Sequence, residues 1–272
     1  MIIKIMVEDT KENSKLFCEH GLCIYFEFGN RKYLFDLGKS DVFFKNANIM
    51  NIDIENIDGV FISHGHYDHG GGLERFLSIN QKAKVYLNKE IFGDYYSSDG
   101  KNLKYIGLNK KLKNNDRFLF MDDRYDVCDG LLLFSKTNRI DKLNANRNIY
   151  VLEDNRFRND KFAHEQYLLI RNKDKNILLT GCSHKGIRAI VEKSYEIMGC
   201  YPDYILGGFH LYRKSTDENE KSLEIKQIGE FLKKTGSMIY TFHCTGEHNY
   251  EILKNILEDK IEYLRTGSNL NI

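Results

Sequence analysis

Short apolar or alternating runs, each closed by polar turn residues, recur along the whole chain: Ile2 to Val7, Leu22 to Phe28, Lys32 to Asp36, Gly59 to Ser63, Lys84 to Leu87, Gly130 to Ser135, Tyr167 to Arg171, Asn176 to Gly181, Tyr204 to Gly207 and Met238 to Phe242. Runs of this length predict β-strands. Helical spacing predicts helices over Leu73 to Ser78, Gly186 to Met198, Ser222 to Lys234 and Asn249 to Leu257. One arrangement repeats three times: an apolar strand, a polar turn carrying His, then a helix, as in GVFIS-HGHYDHGGG-LERFL, NILLTG-CSHKG-IRAIVEKSYEIMG and MIYTF-HCTGEH-NYEILKNIL. In layered α/β proteins, loops at the carboxyl ends of strands gather along one edge, where ligands bind. These His-bearing loops are therefore expected to converge.

Composition narrows the picture. The 272 residues carry 40 Lys plus Arg against 39 Asp plus Glu, a formal charge of +1, which argues against a nucleic-acid partner. With 42% hydrophobic residues, the chain is expected to fold as one globular domain spanning residues 1–272. No apolar stretch approaches the roughly 18–20 residues needed to cross a bilayer, and the N-terminus lacks a signal-peptide pattern. A cytoplasmic protein without a membrane partner is expected. Six Cys are scattered with no C-x-x-C pair, so reduced thiols are expected rather than a disulfide framework. Residues 88–162 show little helical periodicity and many charges, and are expected to form a cap-like insertion. Within it Lys101, Lys104, Lys110, Lys111 and Lys113 read as a solvated face balanced by Asp116, Asp122 and Asp123 rather than as a phosphate site.

The candidate chemistry centres on Ser63-His64-Gly65-His66-Tyr67-Asp68-His69-Gly70-Gly71-Gly72. Residues two apart in extended chain point to one side, so His64 and His66 can address one cation. After a turn at Tyr67, Asp68 and His69 can address a second. A chance H-x-H-x-x-H arises in about one chain in a hundred at this His content, so the pattern is specific.

This H-x-H-x-D-H after an apolar strand resembles the signature of the metallo-β-lactamase superfamily, and FDLG at Phe35 to Gly38 resembles its second strand-end motif, whose Asp braces the metal loop. EHGL at Glu19 to Leu22, SHGHYDHGGGL, HEQYLLI at His164 to Ile170, TGCSHKGI at Thr180 to Ile187, GGFHL at Gly207 to Leu211 and FHCTG at Phe242 to Gly246 resemble a subgroup that includes a dihydropteroate-synthase-like enzyme of methanopterin synthesis. The resemblance implies an αββα four-layer sandwich with metals at one edge. It implies His64 and His66 as ligands of a first metal, Asp68 and His69 of a second, and His243 as the final ligand of the second.

Where most of the superfamily has a bridging Asp, this sequence has Cys182, followed by His184, and either can be a ligand; thiolate would favour zinc. His164 matches the usual third His of the first site, or else hydrogen-bonds the ligands from outside. His210 is a candidate for substrate binding, proton donation or coordination. Without the resemblance, Glu19 and His20 read as a surface pair, and His248 as a cap or surface residue.

The implied cofactors are one or two divalent ions, Zn2+ first, with Mn2+, Fe2+ or Mg2+ as alternatives. The implied activity is hydrolysis of a small ester, thioester or phosphoester by water that the ions activate. Asp68 would orient that water and His210 assist the leaving group. The narrower resemblance implies the alternative, a transferase joining a pterin-methyl diphosphate to an arylamine with release of diphosphate. A small-molecule substrate and a monomer or homodimer are expected.

Overall fold

The computed structural model describes residues 1–141, 144–211 and 218–272. The ten runs expected as strands all form strands, with ends within two residues of expectation. The four expected helices also form; the third begins earlier, at Glu218, and runs to Thr235.

The strands build two seven-stranded sheets. In spatial order the first holds Asn269–Asn271, Ile2–Val7, Cys23–Phe28, Arg31–Phe35, Gly59–Phe61, Lys84–Asn88 and Phe118–Met121. The second holds Ile261–Tyr263, Met238–Thr241, Tyr204–Gly207, Lys175–Leu179, Tyr167–Asn172, Leu131–Phe134 and Arg124–Cys128. Alternation along each strand assigns its residues to layers. Ile24, Phe26, Phe35 and Phe61 from the first sheet meet Leu133, Leu168, Ile170, Ile177, Leu179 and Leu206 from the second in a central core. The intervening residues face outward: Tyr25, Leu34, Val60 and Val85 pack under Phe43 and Phe76, which lie on the helices Val42–Ile49 and Leu73–Ile79. On the other side Leu169, Leu178 and Ile205 pack under Ile190, Ile228 and Leu253, from the helices Ile187–Met198, Glu218–Thr235 and Glu247–Leu257. The result is helix, sheet, sheet, helix.

Residues 88–162 divide among three places. Phe118–Met121 joins the first large sheet, Arg124–Cys128 and Leu131–Phe134 join the second, and Tyr95–Ser98, Leu103–Tyr105, Ile149–Glu153 and Arg156–Asn159 form a separate four-stranded antiparallel sheet. Residues 142–143 of this segment lie outside the described residues. The small sheet packs Tyr95 and Ile149 with Ile106 and Phe162. Lys101, Lys104, Lys110 and Lys111 are exposed. Among them Lys110 pairs with Asp94, whereas Asp122 and Asp123 pair with Lys89 and Lys136. Among the described residues no helix is long and apolar enough to cross a membrane.

Candidate metal centre

Four neighbouring strands in each sheet run parallel, so their carboxyl ends share an edge. Asp36 follows Phe35, the Ser63-to-His69 loop follows Phe61, Cys182 and His184 follow Leu179, His210 follows Gly207, and His243 follows Thr241. A cavity of about 300 Å³ opens on them, with His66, Asp68, Cys182, His184, His210 and His243 in its wall. Gly181 lets two of these loops touch: a Cβ there would fall on the Ser63 hydroxyl.

Hydrogen bonds fix which imidazole nitrogens are bare. The buried Asp36 accepts from the Ser63 backbone N–H (2.7 Å), the Ser63 hydroxyl (2.8 Å) and His69 Nδ1 (2.7 Å). A carboxylate accepts rather than donates, so the His69 proton sits on Nδ1 and Nε2 presents a lone pair. With its proton committed to Asp36, the Ser63 hydroxyl accepts from His64 Nδ1 at 2.8 Å, which leaves His64 Nε2 bare too. Asn146 donates from Nδ2 to the His184 carbonyl (2.6 Å) and accepts at Oδ1 from His184 Nδ1 (3.0 Å). His64 Nε2 and His184 Nε2 then face each other at 3.3 Å with a lone pair on each. That is no hydrogen bond. His66 Nε2 is buried beside them with no hydrogen-bond partner among the described residues.

The neighbouring half is built around a carboxylate. Asp68 Oδ2 lies 3.7 Å from His69 Nε2, 3.5 Å from His243 Nε2 and 3.4 Å from His20 Nε2. Asp9 accepts from His243 Nδ1 (2.6 Å) and from His20 Nδ1 (2.9 Å). Between the halves, Cys182 Sγ is 3.1 Å from His69 Nε2 and lies within 4.8 Å of a ring nitrogen of each of His64, His184, His210 and His243.

These donors suit a divalent cation. Opposed lone pairs require a shared positive charge between them, and a 3.3 Å separation is the edge of a tetrahedron whose centre lies about 2.0–2.1 Å from each corner, the zinc–imidazole bond length. The electrostatics of the halves differ. Burial, reinforced by neighbouring imidazoles, pushes His64 and His184 well below the ordinary histidine range and His66 down to about 3, so these rings are neutral bases. For His243 burial works the same way, but Asp68 and Asp9 outweigh it and the ring is held well above its usual range; His69 is raised by Asp36 and Asp68 against the same opposition. Burial opposes ionisation of Asp68, yet His69, His243 and His20 keep it below the usual carboxylate range. Burial also pushes the Cys182 thiol up.

The sequence-derived candidates His64, His66, Asp68, His69, Cys182, His184, His210 and His243 thus meet at one place. His164 points elsewhere: its Nδ1 accepts from the Gly65 N–H (2.9 Å) and its Nε2 bonds Asp160 (3.0 Å), so it braces the H-x-H loop from outside. His248 is exposed on its helix. Sequence reasoning missed Asp9, Asn146 and Glu165. Glu165 is buried and accepts from the backbone N–H groups of His184 and Lys185 and from the Tyr167 hydroxyl. No local pattern flags these residues, because their partners lie elsewhere in the chain. His20, read from residues alone as a surface group, stands beside Asp68; its only signal was the EHGL motif.

A helix–sheet–sheet–helix sandwich with this cluster at its strand ends defines a class, and the chain belongs to it: the metallo-β-lactamase superfamily. That family's model matches residues 17–127. Among solved structures, the fold superposes with a TM-score of 0.83 on Tm1679, described as a metal-dependent hydrolase of the β-lactamase superfamily, at 32% identity and covering 100% of this chain and 99% of that one. A relative from Methanocaldococcus jannaschii, 7,8-dihydropterin-6-methyl-4-(β-D-ribofuranosyl)-aminobenzene-5'-phosphate synthase, is 29% identical across 94% of this chain and 90% of its own. The Zn(2+)-bound PqqB of Methylobacterium extorquens shares the fold, at a TM-score of 0.57 and 12% identity over 100% of both chains.

Proposed function

We propose that this protein is a metal-dependent hydrolase that cleaves a small ester, thioester or phosphoester at the cavity between the two sheets. The observation that carries this reading is the set of bare Nε2 atoms, His64 and His184 opposed at 3.3 Å and His66 with no hydrogen-bond partner among the described residues, next to the Asp68 carboxylate. His64, His66 and His184 would hold one divalent ion and Asp68, His69 and His243 a second, with Cys182 between them. Bound there, the ions supply Lewis acidity, lowering the pKa of water and offsetting charge on the attacked and departing oxygens.

The chain's own groups divide the remaining work. Asp68, kept ionised by the surrounding imidazoles, has a carboxylate at the cavity wall that can orient a water or take its proton. His210 faces the cavity with its ring centroid 4.1 Å from that of His184 and with a buried Nδ1 that has no hydrogen-bond partner among the described residues. It is placed to hold a proton for the leaving group. Tyr67, Ile106 and Ile149 give the cavity an apolar wall that limits water beside the reacting atoms.

A second reading is favoured by the pterin synthase relative, whose similarity runs nearly the full length of both chains. Here an arylamine takes the place of water and displaces diphosphate from a pterin-methyl carbon, using the same residues. The purified protein tests both: metal content is measured, then turnover on phosphodiester, lactone and thioester panels, then incubation with a dihydropterin diphosphate and an aminobenzoate acceptor. Turnover of a generic substrate with bound metal supports hydrolysis. Diphosphate release that requires the amine supports transfer, and absence of bound metal rejects both.

A further inference from the structure

The second half of the centre has one more imidazole than the sequence motifs assign to it, and that imidazole is built in rather than loose. His20 Nε2 approaches Asp68 Oδ2 to 3.4 Å, closer than His243 at 3.5 Å or His69 at 3.7 Å. Its ring stands 4.7 Å from that of His243, centroid to centroid. Asp9 takes an Nδ1–H from each ring, one on each carboxylate oxygen, so both rings turn Nε2 toward the same carboxylate.

The backbone around His20 is held on both sides. Glu19 accepts through Oε1 from the backbone N–H groups of Lys39 (2.9 Å) and Ser40 (3.0 Å) and through Oε2 from the Ser40 hydroxyl (2.6 Å). Leu22 donates its N–H to the carbonyl of Asp68 itself at 3.2 Å. Gly21 lies between them with φ +157° and no room for a side chain, since a Cβ there would sit 2.6 Å from the Asp68 carbonyl oxygen. A solvent-facing histidine with no task would not need this. The loop is pressed onto the backbone of the residue whose carboxylate His20 faces, although the His20 side chain remains 54% exposed.

We propose that His20 is a further protein ligand of the second metal ion, closing its solvent side, and that Asp9 is the positioning residue that aims His20 and His243 together. The second site would then comprise Asp68, His69, His243 and His20, four protein donors from three separate segments of the chain. A site with four protein ligands is closed in the manner of structural zinc sites, whereas a site with three imidazoles keeps a position free. With Cys182 shared between the two, the ion held by His64, His66 and His184 has fewer protein donors and is therefore the one with more room for water or substrate, beside His210. This inference rests on the two-ion reading above.

The test uses the intact protein, stripped of metal and titrated with zinc against a chromogenic chelator, and in parallel with cobalt(II) while its visible absorption is followed. The His20→Ala and Asp9→Asn variants are compared with the unaltered chain. The unaltered chain is expected to take up two equivalents. His20→Ala is expected to bind the first with unchanged affinity and the second at least about tenfold more weakly, with an altered cobalt spectrum for that equivalent only. Asp9→Asn is expected to weaken the same equivalent. His20 is exposed enough that its removal leaves the fold intact, which circular dichroism verifies.

Two equivalents bound by His20→Ala with unchanged affinity and spectrum would overturn the role of His20 while leaving the two-ion reading intact. One equivalent in the unaltered chain overturns the second site, and none overturns the metal-dependent reading as well.

Discussion

Asp36→Asn is the most informative single substitution, because one carboxylate sets the tautomers of two histidines. Asp36 Oδ2 accepts from His69 Nδ1 and from the Ser63 hydroxyl, and Ser63 in turn accepts from His64 Nδ1. Asparagine can keep its carbonyl oxygen on the Ser63 N–H, but its amide NH2 then faces His69 Nδ1 and Ser63 Oγ, two positions that need an acceptor. The His69 proton is driven to Nε2, where it occupies the lone pair aimed at Asp68 and Cys182. The freed serine proton turns to His64 Nδ1 and does the same to that ring. The backbone itself is undisturbed: residue 36 has φ +61°, a conformation asparagine tolerates. Loss of an outer partner of a metal-bound histidine costs typically 10–100-fold in affinity, about 1.4–2.7 kcal/mol. The assay is a zinc titration of metal-free protein against a chromogenic chelator, with Ser63→Ala as companion. Asp36→Asn is expected to weaken both equivalents, and Ser63→Ala, which leaves the Asp36 contact to His69 in place, mainly the one held by His64. Unchanged affinity in Asp36→Asn would refute the tautomer reasoning.

Other outcomes follow from the same geometry. His164→Ala is expected to lower zinc affinity by about tenfold without changing stoichiometry, since both ring nitrogens are engaged by Gly65 and Asp160; loss of a whole equivalent, measured by elemental analysis, would make His164 a ligand instead. Glu165→Ala leaves three buried donors, on His184, Lys185 and Tyr167, without their acceptor, and urea unfolding of the metal-free protein should show a loss of about 3 kcal/mol or more. Gly181→Ala, whose Cβ would collide with Ser63, should lower metal affinity more than it lowers the stability of the metal-free chain, and equal loss in the two titrations would contradict that. Chelation of bound metal should lower the melting temperature by about 5–10 °C, from roughly 2.7 kcal/mol of linkage at a free ion concentration one hundred times the Kd; a melting curve indifferent to chelator would count against an occupied centre.

The sequence by itself placed most of the fold. Buried strands such as Tyr204–Gly207 and Lys175–Leu179 are covered on both faces, so their apolar runs stand out against polar turns. The strands it did not show include Leu103–Tyr105 and Arg156–Asn159, which are exposed throughout and carry no alternation to read. It also brought out His64, His66, Asp68 and His69 as candidates, because four side chains able to hold a metal within six residues leave a local spacing. What only the tertiary structure decided is the role of residues whose partners are remote in sequence. His164 lies just ahead of the buried strand Tyr167–Asn172 and His184 just after the buried strand Lys175–Leu179, yet His164 turns both nitrogens to Gly65 and Asp160 while His184 turns a bare Nε2 to His64. His20 gains its place from Asp9, Gly21 and Asp68, three residues that meet only when the first sheet forms. Hydrophobic periodicity reports on the face an element buries, a property of neighbours along the chain. The direction of a side chain at the end of a strand is set by hydrogen bonds across dozens or hundreds of residues, and no local pattern records them.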